Sequence, residues 1–328
     1  MGGVSLSRKY RVITFDGGGV RGALSSQLLT RLTSDKKFPE LIKKTNLLVG
    51  TSVGSIIALG LASGKSPQEI NAAFNVDTVE EIFSNPQPGG PLTTTKYKNE
   101  GLIKVLSSFF PKNLRLKDLH KRVVVPAFAL SNSKLGHWTP VFFNNFPESP
   151  YLEHKVIDVA LASSAFPAYF PAFKHFIDGA VVANDPSTVG ISFAVQKGKQ
   201  ELSKIALLSI GTGFFPYSIQ KDTSEWGFFS SNNQVIGTAP SWGFIPPNLQ
   251  EPHEPAVPLL TITVEGTEEA DVLMSSQLLG KGFFRLNPQL PIPIQLDDVQ
   301  AIPVLRTIAN NTNLSEVSRF IRKHWNLC

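Results

Sequence analysis

The chain has 328 residues, 42% of them hydrophobic, with 31 basic and 26 acidic side chains for a formal charge of +5. That length is ample for one large α/β domain with a small appendage. A single cysteine, Cys328, excludes an internal disulfide framework and any cysteine-based metal site, so the fold must rest on its core.

Met1–Leu6 has Leu6 where a myristoylation signal needs Ser or Thr, and no apolar stretch before Arg11 is long enough for a signal peptide. The first β-rich run, Tyr10–Phe15, passes at once into Asp16-Gly17-Gly18-Gly19-Val20-Arg21-Gly22 and then a helical stretch over Ala23–Leu32. Consecutive glycines there free several backbone N–H groups to point at one place. At a helix N-terminus, such a loop suits a permanent anion or the transient oxyanion of acyl transfer.

The second strand, Asn46–Gly50, turns abruptly into a helix at Gly50-Thr51-Ser52-Val53-Gly54. A G-x-S-x-G elbow needs small flanking residues, because the tight turn that lifts the serine hydroxyl clear leaves no room for Cβ atoms. Ser66-Pro67-Gln68-Glu69 is a capping box with proline at the first helical position, opening a helix to about Phe74. Helices over Tyr97–Phe110 and Glu153–Ala162 flank a strand over Arg122–Leu130. Phe173–Ile177 then leads into Asp178-Gly179-Ala180, and Ile205–Ile210 is the last strand of the alternating pattern. This β/α alternation predicts a mostly parallel central sheet with helices on both faces, a three-layer architecture. The most apolar runs, near Ile56 and Leu259, fall short of the ~20 residues of a membrane span.

Other readings of the glycine loop fare worse. Gly17, Gly19 and Gly22 fit the dinucleotide spacing, but the next strand ends in the Ser52 elbow rather than an acid, and Asp35 lies in a polar turn. A phosphate loop lacks its lysine, since Ala23 follows Gly22. Taken singly, the elbow and the Asp178-Gly179 pair are also compatible with ordinary turns.

Together and in this order, the three motifs resemble the patatin-like phospholipase family, over about residues 8 to 215. The resemblance also takes in Ala162–Pro171 and Ala206–Gly213, while Ser55 stands where many members have another glycine. It implies Ser52 as nucleophile, Asp178 as its general base, the amides of Gly17, Gly18 and Gly19 as oxyanion hole, Arg21 as a brace for that loop, and Gly50 and Gly54 as the elbow glycines. It also implies phospholipids or related glycerolipids as substrates, through an acyl-serine intermediate. Residues 216–328 carry no matching motif and are expected to complete the same domain as a loop-rich, helical portion.

A histidine triad requires the order serine, acid, histidine, which admits only His253 and His324. His253 sits in the charged, proline-flanked Glu251–Pro255 loop and His324 on the amphipathic Glu316–Trp325 segment. His175, at odd spacing before Asp178, is expected on the opposite strand face. A Ser52/Asp178 dyad uses a base of reference pKa ~3.9, so the acid limb of kcat/KM is expected below the ~6.5 of a free histidine. A Ser/His/Asp esterase of small esters and a non-catalytic lipid-binding scaffold are the alternatives.

Two segments look like the substrate side: Asn85–Pro91, and the aromatic stretch holding Phe214, Phe215, Trp226, Phe228, Phe229, Trp242 and Phe244. Their rings suit either a lipid boundary or a packed cover over the core. No cofactor, no catalytic metal and no nucleic-acid partner is expected. A soluble protein is expected, cytoplasmic or peripheral at membranes by non-covalent contact, with export by a non-classical route left open.

Overall fold

The computed structural model describes residues 9–34, 36–90, 93–131, 136–232 and 235–327. Met1–Leu6, Asp35, Pro91 and Cys328, which carry expectations above, lie outside the described residues. Strand β1 (Tyr10–Phe15) leads through a tight turn at Gly19–Arg21 into α1 (Gly22–Leu32), and α2 (Leu41–Lys44) precedes β2 (Leu47–Gly50) and α3 (Val53–Ala62). Next come α4 (Pro67–Ala73), α5 (Val76–Ile82) and α6 (Glu100–Phe109), then β3 (Arg122–Ala129) and β4 (Thr139–Asn144). The chain continues through α7 (Val156–Ser163), β5 (Phe176–Asp178), α8 (Ala180–Ala183), α9 (Ser187–Gln196) and β6 (Ile205–Ile210). After a small ribbon of β7 (Ser230–Asn232) and β8 (Val235–Ala239), α10 (Pro258–Leu279), β9 (Phe283–Leu286), α11 (Ile302–Asn311) and α12 (Ser315–Trp325) complete it.

The sheet runs β4-β3-β2-β1-β6-β9. Its β3-β2-β1-β6-β9 stretch is parallel and β4 is antiparallel at the edge. Parallel strands covered on both faces should be apolar throughout, and β2 and β6 are buried at every position. Alternation distributes them: Ile13, Phe15 and Leu48 join a cluster with α1, α3, α7, α11 and α12, whereas Val12, Leu47 and Val49 pack with α9 on the other face. That gives the expected three layers. The capping box forms as read, Ser66 N–H donating to Glu69 Oε2 at 2.8 Å and Glu69 N–H to Ser66 Oγ at 3.2 Å.

Three features depart from the sequence reading. Residues beyond 215 contribute a strand, β9, to the central sheet, in addition to the helices α11 and α12, whose Leu305, Ile321 and Trp325 are fully buried in the main core. Phe173–Ile177 is not a continuous strand: Phe173 and Phe176 exchange backbone hydrogen bonds of 2.9 Å around Lys174 and His175, both at positive φ. This is a two-residue hairpin turn made without the usual Asn-Gly signal. His175 is therefore exposed on a turn rather than set on a strand face. Finally, β5 is antiparallel and pairs with the far half of β3, Ala127 opposite Asp178, while β2 pairs with the near half, Val49 opposite Val124. Because β4 occupies the other edge of β3 from Val124 to Ala129, β5 abuts β2 end to end along one edge. Asp178 thus arrives just beyond Gly50, beside the elbow. Among the described residues, no helix is long and apolar enough to cross a membrane.

Candidate active site

The elbow is built by close approach. A Cβ on Gly50 would lie 2.1 Å from Gly54 O, and one on Gly54 would lie 2.2 Å from Phe15 O, so β1, β2 and α3 converge only with glycine there. Ser52, between them, is the N-cap of α3 and sits at φ 53, ψ −124, a strained conformation for a residue with a side chain. Three contacts hold it. Thr51 Oγ1 donates to Ala183 O at 2.6 Å, Ser52 N–H donates to Ser163 Oγ at 2.9 Å, and Ser52 Oγ donates to Asp178 Oδ2 at 2.7 Å.

Asp178 is fully buried, and its other oxygen accepts the Ala180 N–H at 2.8 Å. Burial pushes its carboxyl up to about 7, against the smaller opposing pull of the Ala180 amide and the Ser52 hydroxyl. Desolvation thus brings this carboxyl toward the range of an imidazole, above the acid limb expected from its reference value. Among the described residues, no histidine hydrogen-bonds to Ser52 or Asp178. His253 is exposed, its Nδ1 3.0 Å from Pro216 O and its ring stacked on Phe215. His324 is buried against Phe320, and burial with nearby Lys323 and Lys9 lowers its pKa.

The glycine loop stands above Ser52. Gly19 lies at φ 56, and a Cβ there would fall 2.1 Å from Leu296 O. Its amides divide into two kinds. Gly17 N–H is committed to Asn184 O at 3.1 Å and Val20 N–H to Leu296 O at 2.8 Å, whereas those of Gly18 and Gly19 have no acceptor among the described residues. Of the expected three donors, Gly18 and Gly19 are therefore available and Gly17 is already used. Arg21 reaches from the same loop to Gly213 O at 3.4 Å.

Ser52, Gly18, Gly19 and Arg21 line one end of a chamber of about 1050 Å³, its open mouth included. Most of the rest is apolar, including Ile56 of α3, Phe74, Val79 of α5, Leu102 and Phe109 of α6, and Phe170. Neither Asn85–Pro91 nor the aromatic stretch from Phe214 to Phe244 contributes a lining residue among those described; α5 and α6 take that place. Trp226 and Trp242 instead pack edge to face, ring centres 5.2 Å apart.

Sequence reasoning missed the cluster beneath the loop. Asp16 points away from the chamber and is bound by Arg285, whose Nη1 donates 2.8 Å to Asp16 Oδ1 and 2.8 Å to Ser209 Oγ. The same guanidinium donates 2.6 Å to Glu268 Oε1 and lies 3.3 Å from Asp185 Oδ2. Glu268 in turn accepts 2.6 Å from Asn184 Nδ2, and Asn184 holds Gly17. Burial raises the Asp16 carboxyl well above the usual range, with Arg285 pulling it back and Asp185 and Glu268 pushing it up further. The available signal was a lone arginine inside the apolar run Phe283–Leu286.

The family model of patatin-like phospholipases matches residues 13–190. The chain is 47% identical to Protein teg of Priestia megaterium, covering 97% of this chain and 99% of that one. It is 45% identical to CotR of Bacillus subtilis, provisionally designated a sporulation hydrolase, over 97% of this chain and 98% of that one. A cGAMP-activated phospholipase of Escherichia coli is 32% identical over 64% of either chain.

Proposed function

The chain belongs to the patatin-like phospholipase family, a family of lipid acyl hydrolases, and we propose that it cleaves fatty-acyl esters of phospholipids or related glycerolipids through an acyl-Ser52 intermediate. The observation that carries this reading is the 2.7 Å hydrogen bond from Ser52 Oγ to a buried carboxylate, at the end of an apolar chamber beneath two unused glycine amides.

In the proposed reaction Asp178 takes the Ser52 proton as Oγ attacks the ester carbonyl. The amides of Gly18 and Gly19, with the positive end of α3, receive the negative charge of the tetrahedral oxygen. Asp178 then gives its proton to the departing alkoxide, leaving an acyl ester on Ser52. Water repeats the sequence, with Asp178 as base again, and frees the fatty acid. Burial supports the role: a carboxylate that titrates near 7 takes a proton far more readily than one near its ordinary value. Arg21 braces the loop through Gly213 O, and the aromatic walls of the chamber accept the acyl chain.

Incubation with a fluorophosphonate is expected to label Ser52, and a lipid panel is expected to release fatty acid from wild type but not from Ser52→Ala. A folded, unlabelled protein would favour the scaffold reading. Loss of activity on replacing His253 or His324 would favour the triad.

A further inference from the structure

Helix α10 is inside out. A surface helix ordinarily turns apolar side chains inward and charged ones to water. Here the inward residues are Glu268, Asp271 and Ser275, all buried, while Leu259, Ile262, Leu273, Met274 and Leu278 are between 45% and 58% exposed. The two inward carboxylates are partnered, Glu268 holding Asn184 and Arg285 and Asp271 accepting from Thr188, while the Ser275 hydroxyl has no partner among the described residues. Besides Leu279, which packs against the core at the C-terminal end, and Val264, which faces the chamber, the inward contacts of the helix are ion pairs and hydrogen bonds, and its outer apolar face is left exposed.

That outer face is continuous. Leu259, Ile262, Gly266, Ala270, Leu273 and Gln277 follow one another at steps of three and four, all exposed and none charged, along about 27 Å of helix. A Cβ on Gly266 would meet nothing within 4 Å, so internal packing does not require glycine there. Exposed Val195 of α9 and Leu202 widen the patch at one end. At the other, Phe228 and Phe229 stand exposed beside Gly243, and Trp242 O accepts the Leu259 N–H that starts the helix.

We propose that this outer face of α10 seats the protein on a lipid surface. Charge favours a bilayer over a second copy: Lys197, paired with Glu148 at 3.8 Å, and Lys199 follow α9, Lys204 follows Leu202 and Lys281 follows α10, while of the acids in the same segments Glu268 and Asp271 are buried inward and Glu265 is half-buried, which leaves Glu201 and Glu269 exposed. An uncharged stripe rimmed by lysines is the pattern of a helix lying in the interface of an anionic membrane. The same helix also borders the chamber, since Val264, on its opposite side, is a lining residue. The inference rests on the lipid reading of the chamber, but its test does not.

Binding is measured on the full chain carrying Ser52→Ala, so turnover plays no part, by flotation with vesicles of phosphatidylcholine mixed with phosphatidylglycerol. Adding Ile262→Glu and Leu273→Glu is expected to lower the vesicle-bound fraction roughly tenfold or more, and Glu269→Leu to raise it severalfold. In otherwise wild-type protein, the double substitution is expected to leave turnover of a soluble short-chain ester unchanged, which also reports folding. Unchanged vesicle binding in both variants overturns the proposal. So does a wild-type dimer in solution that the double substitution converts to monomer, which would assign the face to a second copy. A failure of the hydrolase reading would instead show as absent Ser52 labelling with vesicle binding intact.

Discussion

Asp16 and Asp178 are the same dipeptide in two settings. Asp16 follows the last residue of β1 and Asp178 is the last of β5, each is followed by glycine, and both are buried, at 1% and 0% exposure. Asp16 meets the guanidinium of Arg285, itself raised above the arginine range as Asp16, Asp185 and Glu268 outweigh the cost of its burial. Asp178 meets only neutral donors, the Ser52 hydroxyl and the Ala180 amide. Pairing makes the first a structural anchor beneath the glycine loop. Isolation keeps the second near 7, able to take and return a proton. The difference is made by β9, a strand far along the chain that brings one cation to one acid and none to the other.

The largest expected break in this symmetry is catalytic. If the proposed nucleophile and base act as a unit, Asp178→Asn and Ser52→Ala should each lower fatty-acid release by roughly 10³-fold or more. Arg285→Met attacks the other acid. It leaves Asp16, Asp185 and Glu268 facing one another without a cation and should cost about 3–5 kcal/mol, read as a lowered denaturation midpoint.

Asp178→Asn should also sharpen the contrast in stability. The folded carboxyl titrates near 7 and the unfolded one near 3.8, so the native state holds the extra proton between those values and stability falls as pH rises through them. The penalty is absent below the unfolded value and complete above about 7. The asparagine variant lacks it and should be more stable than wild type at pH 8 by on the order of 3–4 kcal/mol, with the gain vanishing toward pH 4. Thermal melts at the two pH values measure it, and an equal gain at both would reject the raised pKa.

A smaller effect is the acid limb of kcat/KM, expected to centre near 7 and to fall about tenfold per pH unit below it. Its position no longer separates aspartate from histidine; its survival in His253→Ala and His324→Ala does. The smallest effect is remote from both acids. Trp226→Ala should cost about 1 kcal/mol through its edge contact with Trp242 and leave turnover of a soluble ester unchanged.

Much of the molecule is written in local signals. The Tyr10–Phe15 and Ile205–Ile210 runs, the Ser66–Glu69 capping box and the strand-to-helix break at Ser52 each depend on neighbours within a turn or a strand, and each occurs where it was expected. The contact between Ser52 and Asp178 was anticipated from family resemblance and from both residues lying at strand ends, whereas nothing local reveals that β5 runs antiparallel and abuts β2. The Lys174-His175 turn was hidden because its residues are unusual for positive φ. The polar inner face of α10 was hidden because helical periodicity states which residues share a face, not which way that face is turned.

The sequence by itself determined the strand runs, the elbow that holds Ser52 and the glycine loop, since turn chemistry and side-chain periodicity act over a few residues. Only the tertiary structure decided which amides of the loop are left unused, that helices α5 and α6 wall the chamber, that Arg285 neutralises Asp16, and that Asp178 titrates near 7. Desolvation and charge pairing depend on every atom within a few ångströms, whatever its place in the chain, and so come into being with the packed core.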